Sequence, residues 1–228
     1  MIEELLEPGT AAVESFGDEP GAVAELHPEE ARLVATAEEG RRREFATVRR
    51  CARTALATLG ADPGPVLRDP KGAPVWPAGF TGAMTHCQGY RAAVVATSAE
   101  VAALGIDAEP NLPLSNPGVA ALVTVDEERA WLPGLRARRP EIHWERLVFS
   151  AKESVYKVWY PLTGRWLDFQ DAVITVDPAW STFRARLLVP APVVAAGVRL
   201  DSLTGSYLVR DGLIVTAITV GRRRGTRT

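Results

Sequence analysis

The chain has 228 residues, 46% hydrophobic and 24% charged, which is typical of a globular protein with a substantial core and excludes a wholly disordered chain. Its net charge is −2, whereas a protein that mainly binds nucleic acid is usually basic. Residues 1–21 are acidic and lack the features of a signal peptide, and no apolar run approaches the roughly 20 residues of a membrane span. We therefore expect a cytoplasmic protein with no nucleic-acid or membrane partner. Cys51 and Cys87 lie outside any metal-binding spacing, which indicates small core side chains.

The N-terminal part of the chain predicts helices followed by strands. Apolar residues recur at helical spacing from Pro28 to Leu59, with a break expected at Gly40 and a stop at Gly60. Residues 61–79 are rich in proline and glycine and predict a loop. Apolar runs then predict strands, with a Gln88-Gly89 turn between the first two, at 81–86, 90–97 and 101–108.

The C-terminal part repeats this order. After an irregular stretch, helices are predicted over 126–138 and 141–160. Strands are predicted at 172–176, 183–189, 205–210 and 213–220, with Asp211-Gly212 as a hairpin turn between the last two. Helix, strands, helix, strands predicts an α+β fold of two similar halves, residues 1–110 and 111–228. The basic tail 221–228 is interpreted as a solvated end of the chain.

Two acidic residues stand at the end of the third predicted strand, in the run GIDAEP. On a strand, Asp107 and Glu109 point to the same face because successive side chains alternate. Two carboxylates on one face repel each other unless a cation lies between them, and oxygen ligands of this kind suit Mg²⁺ together with substrate phosphates. The alternative is an acidic strand end that merely faces solvent.

A second group of polar residues lies on the helix predicted for 141–160, in the run FSAKESVYK. We expect Lys152, Glu153, Tyr156, Lys157 and Tyr160 to form one polar face. The opposite, apolar face would contain Trp144, Val148, Ala151, Val155 and Val158. The alternative is an ordinary surface ion pair.

Lysine usage favours a site over that alternative. Of the 26 basic residues, only Lys71, Lys152 and Lys157 are lysines. A lysine kept in an arginine-rich chain indicates a position that needs a compact ammonium group. Three carboxylates with such ammonium groups are the chemistry of a site for Mg²⁺ and a polyphosphate.

The two motifs resemble those of the 4'-phosphopantetheinyl transferases, in the larger monomeric class named for surfactin-synthetase activation. FSAKESVYK matches the second family motif at every fixed position, and its separation from GIDAEP is also that of the family. The runs RRREFATVRRCAR, KGAPVWP and MTHCQGYRAAVVA resemble actinobacterial members. The resemblance extends from about Pro28 to Val220. It implies two similar α+β halves, a pseudo-dimer, with the active site in a cleft between them.

The resemblance also implies a reaction and roles for individual residues. The 4'-phosphopantetheine arm of coenzyme A would be transferred to a carrier-protein serine, with release of adenosine 3',5'-bisphosphate. Asp107, Glu109 and Glu153 would bind Mg²⁺, or Mn²⁺, and Glu153 would take the serine proton. Lys157 would stabilise or protonate the leaving phosphate, and Lys152 would hold the pyrophosphate.

Further positions match the coenzyme-binding residues of the family. The 3'-phosphate would contact Arg41, Arg49 and Lys71, although the run 41–43 leaves the register of the first contact open by one residue. Thr85 and His86 match a pair that contacts the phosphates and the adenosine end. All three lysines would then belong to one site.

The partner implied is an apo acyl carrier protein, or a peptidyl carrier domain, of a fatty-acid, polyketide or nonribosomal-peptide synthase. Such carriers are acidic helical domains, so we expect an apolar or basic docking patch near the metal. The apolar candidates are Leu112, Leu114, Val119, Leu122 and Val123, for which a place in the core is the alternative. The basic candidates are Arg136, Arg138 and Arg139. The enzyme would be a monomer.

Two other functions remain open from the sequence. A metal-dependent nuclease also uses carboxylates and a lysine, but usually on adjoining strands rather than four residues apart on a helix. A non-catalytic module that binds coenzyme A or a carrier would have the same fold. The complete set Asp107, Glu109, Glu153 and Lys157 argues against such a degenerate copy.

Overall fold

The computed structural model describes residues 1–62, 64–190 and 199–222. The α-helices within these residues are α1 (Pro28–Leu33), α2 (Glu39–Thr58), α3 (Pro117–Val123), α4 (Asp126–Arg138) and α5 (Trp144–Thr163). Short 3-10 helices occupy Ile2–Leu5, Ala22–Glu25 and Phe169–Asp171. The strands are β1 (Thr10–Ser15), β2 (Leu67–Arg68), β3 (Pro74–Val75), β4 (Phe80–Cys87), β5 (Tyr90–Thr97), β6 (Val101–Pro110), β7 (Ala172–Asp177), β8 (Thr182–Leu187), β9 (Ser202–Arg210) and β10 (Leu213–Gly221).

The strands form two main antiparallel sheets. One has the order β1-β5-β4 and the other has the order β6-β10-β9-β8-β7, while β2 and β3 pair within the proline-rich loop. Each main sheet packs against a 20-residue helix, α2 in the N-terminal half and α5 in the C-terminal half. The predicted α+β fold is therefore confirmed, and this arrangement fits two similar halves.

Helix α5 forms because its apolar residues repeat at three- and four-residue spacing. Trp144, Leu147, Val148 and Val155 are fully buried against the five-stranded sheet. The helix ends at Gly164, which has φ +65° and donates its N–H to the Tyr160 carbonyl oxygen. The catalytic motif predicted from the sequence thus lies on one of the most firmly packed elements of the protein.

Strand β6 passes directly beneath α5 at Gly105. A Cβ atom at this position would lie 2.1 Å from the Ser154 carbonyl oxygen and 2.8 Å from Val158 Cγ2. Glycine therefore permits a backbone approach that no other residue would allow. The approach brings the acidic end of β6 next to the polar residues of α5.

The two halves meet where β6 lies alongside β4. The Ala108 N–H donates to Thr85 Oγ1 at 3.0 Å. The boundary predicted at Pro110 coincides with the end of β6, yet the hydrogen-bonded partner of β6 is β10 of the C-terminal half. The acidic strand is therefore part of the C-terminal sheet, although the predicted N-terminal half, residues 1–110, includes it.

Most predicted elements are present with small shifts at their ends. Helix 126–138 has the predicted bounds, and the Asp211-Gly212 turn has positive φ angles of 53° and 75°. The break predicted at Gly40 is wrong in position, because Gly40 lies in the first turn of α2 and the helices separate at residues 34–38. Strand β1 and helix α3 were not predicted from the sequence. The basic tail lies mostly outside the described residues.

The cysteines and the hydropathy of the helices were also considered in the sequence. Cys51 is buried and Cys87 is half-buried, and both thiols are free. None of the described helices is long and apolar enough to cross a membrane.

Candidate active site

A cleft with a volume of about 290 Å³ lies between α2, β4, the proline-rich loop and α5. Its basic lining residues are Arg41, Arg49, Arg68, Lys71, His86 and Lys157. Glu153 is the one acidic side chain among the described lining residues. The cleft is therefore suited to an elongated anion, with a single carboxylate at its α5 wall. Arg68 is a member of this set that the sequence analysis did not identify.

Asp107 is buried where β6, β4 and α5 meet. Its Oδ1 accepts hydrogen bonds from Lys157 Nζ at 2.8 Å and from Thr85 Oγ1 at 3.3 Å. Its Oδ2 is buried and has no hydrogen-bond partner among the described residues. A buried carboxylate oxygen without a partner is costly, so this atom is a ready ligand for a cation.

The charge of Asp107 raises the pKa of both Glu109 and Glu153. Burial and the charge of Asp107 raise the pKa of Glu109, although Arg146, which donates to its Oε2 at 2.8 Å, acts in the opposite direction. Burial also raises the pKa of Glu153, where Lys157 lowers it and Asp107 raises it further. The three predicted metal ligands thus form one electrostatic group.

The carboxylate oxygens of Asp107, Glu109 and Glu153 are ligands of the kind that Mg²⁺ prefers, but these side chains do not form a complete metal site. In the part of the chain that the structure describes, no group of three or more Asp, Glu, His or Cys side chains is positioned to hold a metal ion. Lys157 and Arg146 pair with Asp107 and Glu109 instead. The unpartnered Asp107 Oδ2 is the observation that favours a cation here.

On the α2 side of the cleft, Arg41 and His86 lie side by side. Arg41 Nη1 is 3.0 Å from His86 Nε2, and His86 Nδ1 is 3.0 Å from Glu44 Oε1. Burial lowers the pKa of His86, and neighbouring cations add to this effect while Glu44 opposes it. The imidazole therefore lies between a carboxylate and a guanidinium at the wall of the cleft.

Arg49 and Lys71 occupy the same cleft in different settings. Arg49 is buried, donates from Nε to the Val66 carbonyl oxygen at 2.7 Å and lies over the Phe45 ring, and burial lowers its pKa to about 10. Lys71 Nζ lies 5.6 Å from the centre of the Tyr160 ring. Five of the residues predicted to bind coenzyme A therefore line the same cleft, namely Arg41, Arg49, Lys71, His86 and Lys157.

Lys152 is not part of this group, and its predicted role at the pyrophosphate and its predicted exposure on the polar face are corrected here. The side chain is buried and is not among the described residues that line the basic cleft. Its Nζ donates to Glu128 Oε2 at 2.9 Å and to the carbonyl oxygens of Val123 and Phe169 at 2.8 and 2.7 Å. With all three donors used, Lys152 has none left for a phosphate.

Thr85 also differs from its prediction. It is buried and is not among the described residues that line the cleft. Its hydroxyl accepts from the Ala108 N–H and donates to Asp107 Oδ1. Thr85 therefore positions the acidic strand, and only His86 of this predicted pair faces the cleft.

A second, largely apolar cleft of about 270 Å³ lies on the other side of Glu153. Glu153 and Tyr156 line both clefts, and Trp166 stands beside Tyr156 with ring centres 5.1 Å apart. Trp166 is 70% exposed and Trp180 is 79% exposed, so these two tryptophans lie outside the core. In the sequence, Trp166 follows closely after the helix that carries Glu153. This short separation is a signal from which the second cleft could have been predicted.

The predicted docking residues are divided between surface and core. Leu112 and Leu122 are exposed, whereas Val123 is buried in the core of the C-terminal half. Arg136 pairs with Glu145, and Arg139 pairs with Glu141.

Comparison with known proteins identifies the family. Residues 29–96 match the 4'-phosphopantetheinyl transferase N-terminal domain, and residues 103–204 match the 4'-phosphopantetheinyl transferase superfamily. The second match begins within β6, the strand that carries the acidic motif.

Three named relatives are similar to the chain over nearly its whole length. The transferase Svp of Streptomyces mobaraensis is 56% identical over 99% of this chain and 92% of its own. Npt of Nocardia iowensis is 43% identical over 96% and 99%, and PptT of Mycobacterium tuberculosis is 45% identical over 91% and 91%, respectively. The motif-based resemblance is confirmed: the chain belongs to the 4'-phosphopantetheinyl transferase superfamily and is an enzyme of its actinobacterial type.

Proposed function

We propose that this enzyme transfers the 4'-phosphopantetheine arm of coenzyme A to a serine hydroxyl of an apo carrier protein, with Mg²⁺, and releases adenosine 3',5'-bisphosphate. The supporting observation is the junction of β6 and α5. There Asp107, with an unpartnered buried oxygen, lies beside Lys157 and near Glu153, both of which line the basic cleft.

The basic cleft would hold the nucleotide part of coenzyme A. Arg41, Arg49, Lys71 and His86 would contact the 3'-phosphate and the adenosine end, and Lys157 would contact the pyrophosphate. Separate cations for separate phosphates orient the donor along the cleft, so that the reacting phosphorus lies at the α5 wall.

Asp107, Glu109 and Glu153 would hold Mg²⁺, or Mn²⁺, which has the same preference for oxygen ligands. When bound, the metal would offset negative charge on the pyrophosphate and the leaving group. Asp107 Oδ2 is available for this role, while Glu109 would have to share or release Arg146.

In the proposed reaction the serine Oγ forms a bond to the phosphorus that carries the pantetheine, and the P–O bond to adenosine 3',5'-bisphosphate breaks. Glu153 takes the serine proton, directly or through water, and Lys157 donates to the departing phosphate oxygen. The raised pKa of Glu153 increases its basicity toward this proton.

The two clefts on either side of Glu153 suit the two ends of coenzyme A. The apolar cleft formed by Tyr156, Trp166 and Phe169 would take the pantetheine arm while the basic cleft takes the nucleotide. The carrier would dock against the exposed Leu112 and Leu122, with Arg138 available for its acidic surface.

Intact-mass spectrometry of apo carriers tests this proposal. Acyl and peptidyl carriers are incubated separately with the enzyme, coenzyme A and Mg²⁺, and we expect a mass gain of one phosphopantetheine per modifiable serine. Glu153→Ala should abolish the gain, whereas Glu127→Ala, a matched change at an exposed ion pair with Arg186, should not. No gain on any carrier would leave the non-catalytic binding function as the better explanation. A gain that survives Glu153→Ala would exclude Glu153 as the base.

A further inference from the structure

Glu44 of α2 lies at the centre of the charged cluster on the nucleotide side of the cleft. Its carboxylate pairs with Arg41 through Oε2, and its Oε1 lies 3.0 Å from His86 Nδ1 and 3.8 Å from Arg91 Nη2. The side chain is only 20% exposed and is not among the described residues that line the cleft. One carboxylate thus contacts both residues that form this wall.

On the side of the cluster away from the cleft, several contacts fix the position of Arg91. Arg91 is buried, and its guanidinium also pairs with Asp18 at 2.7 Å and donates to the carbonyl oxygens of Cys87 and Tyr90. Arg91 belongs to β5 and Glu44 belongs to α2, so the contact between them ties the carboxylate to the N-terminal sheet. Arg91, which these contacts fix in place, therefore keeps a positive charge 3.8 Å from Glu44 Oε1.

Glu44 contacts both side chains, Arg41 and His86, on the side of the cluster that faces the cleft. Arg41 is a long, half-exposed side chain that loses rotamer freedom when it is ordered. With a proton on Nδ1 donated to Glu44, the neutral ring of His86 accepts at Nε2 from Arg41 Nη1, 3.0 Å away. The charge of Glu44 favours the imidazolium form, which can instead donate from Nε2 to a phosphate. Glu44 thereby fixes both the position of the guanidinium and the orientation of the imidazole.

We propose that Glu44 is a positioning residue that presents Arg41 and His86 together to the terminal 3'-phosphate of coenzyme A. This inference rests on the proposed function, in which the pyrophosphate lies at Lys157. The wall formed by Arg41 and His86 then remains for the second anionic group of the molecule, a phosphate monoester. Prior ordering of two donors reduces the entropic cost of binding this group.

Isothermal titration with coenzyme A and with dephospho-coenzyme A, which lacks only the 3'-phosphate, tests the inference. In Glu44→Gln we expect the Kd for coenzyme A to rise about tenfold, the scale of one charge-assisted contact, and the Kd for dephospho-coenzyme A to change less than about twofold. Glu39→Gln is the matched control, because Glu39 pairs with Arg43 on the same helix but is exposed. It should leave both constants unchanged.

A double-mutant cycle identifies the route of the effect. In an Arg41→Met background, Glu44→Gln should weaken coenzyme A binding less than it does in the unmodified enzyme, because only His86 is left for Glu44 to position. Glu44→Asp, which retains the charge but is one methylene shorter, should give an intermediate loss and replaces Glu44→Gln if that variant does not fold.

Other results would contradict the role of Glu44, the placement of the 3'-phosphate or the proposed function. Equal weakening of both ligands, or unchanged or tighter binding of coenzyme A, contradicts the role of Glu44. Equal binding of the two ligands by the unmodified enzyme contradicts the placement of the 3'-phosphate at this wall. Failure of the unmodified enzyme to bind coenzyme A contradicts the proposed function itself.

Discussion

The ammonium group of Lys157 lies 2.8 Å from Asp107 Oδ1 and 2.9 Å from the carbonyl oxygen of Ile106. A single side chain of α5 thus joins the helix to the acidic strand β6 at the point where the two sequence motifs meet. The two side chains form an ion pair, so substitution of either one alters the electrostatic environment of the other.

Asp107→Asn should stop transfer with little change of shape. The amide has the size of the carboxylate but lacks the negative charge that a divalent cation requires. We expect the transfer rate to fall at least about a hundredfold, in line with the loss of several kcal/mol of metal-dependent stabilisation. The rate of holo-carrier formation across a Mg²⁺ titration measures this.

Chelation provides the companion measurement. EDTA should stop the unmodified enzyme, and added Mg²⁺ should restore it. Full activity in EDTA, or an Asp107→Asn enzyme that is as fast as the original, would contradict the assignment of Asp107 as a metal ligand.

Lys152→Met should affect stability rather than coenzyme binding. The change leaves Glu128 buried without its charged partner, and loss of one member of such a pair costs about 3–5 kcal/mol. Urea denaturation should show this loss. The Kd of the folded variant for coenzyme A should change less than that of a variant at the basic cleft, because Lys152 lines the apolar cleft and not the basic one.

Lys71→Met provides the contrast. Lys71 is exposed at the basic cleft, so its substitution should weaken coenzyme A binding and leave stability nearly unchanged. If Lys152→Met instead lost coenzyme binding while remaining fully stable, the correction made to its role would itself be wrong.

Gly105→Ala tests the close approach of β6 and α5. The added methyl group would lie 2.1 Å from the Ser154 carbonyl oxygen, so the strand and the helix must separate. We expect a loss of stability of about 1–3 kcal/mol, together with reduced transfer, because the two elements carry Asp107 and Lys157.

The control for Gly105→Ala is Gly134→Ala on α4. Nothing lies within 4 Å of a Cβ atom at that position, so the substitution should be neutral or stabilise the helix by up to about 1 kcal/mol. Equal unfolding midpoints for Gly105→Ala and the unmodified enzyme would show that the helix and the strand separate at no cost.

Glu14→Gln should make stability less dependent on pH. Burial alone would raise the pKa of Glu14, but hydrogen bonds from the N-terminal ammonium, Tyr90 and the Ile2 N–H outweigh it and lower the pKa below its ordinary value of 4.5. The ionised carboxylate therefore stabilises the fold above that value, and this contribution disappears as the pH falls through the lowered pKa.

The expected measurement is a stability difference that varies with pH. Glu14→Gln should unfold at lower urea than the unmodified enzyme at pH 7, by about 1–3 kcal/mol, because the carboxylate accepts charge-assisted hydrogen bonds. The gap should narrow once the pH falls below 4.5. A gap that is constant down to acid pH would mean that the charge of Glu14 is not what stabilises the fold.

Local patterns predicted the regular elements well. Helix α4 has the predicted bounds, since strong periodicity and Asp126 in the first turn define it locally. Asn116 caps α3 by accepting from the Val119 N–H, and Pro117 follows it, yet this helix-start signal was interpreted as irregular chain. Strand β1 was missed because TAAVES lacks a clear alternation of apolar and polar residues.

The errors within the site have one physical origin. Lys152 is buried because Glu128, from another helix, and carbonyl oxygens of Val123 and Phe169 converge on it. Thr85 contacts Asp107 because β4 lies beside β6. Helical or strand periodicity describes only one element, so partners supplied by distant segments could not be predicted from it.

The pairing of β6 with β10 also governs when the enzyme can become active. A growing chain that has been synthesised as far as α5 already carries every residue of both motifs. It lacks β10, the hydrogen-bonded neighbour that fixes Asp107 opposite Thr216 and Glu109 opposite Ile214. We therefore expect a nascent chain without β10 to be inactive, although this strand contributes none of the proposed catalytic groups.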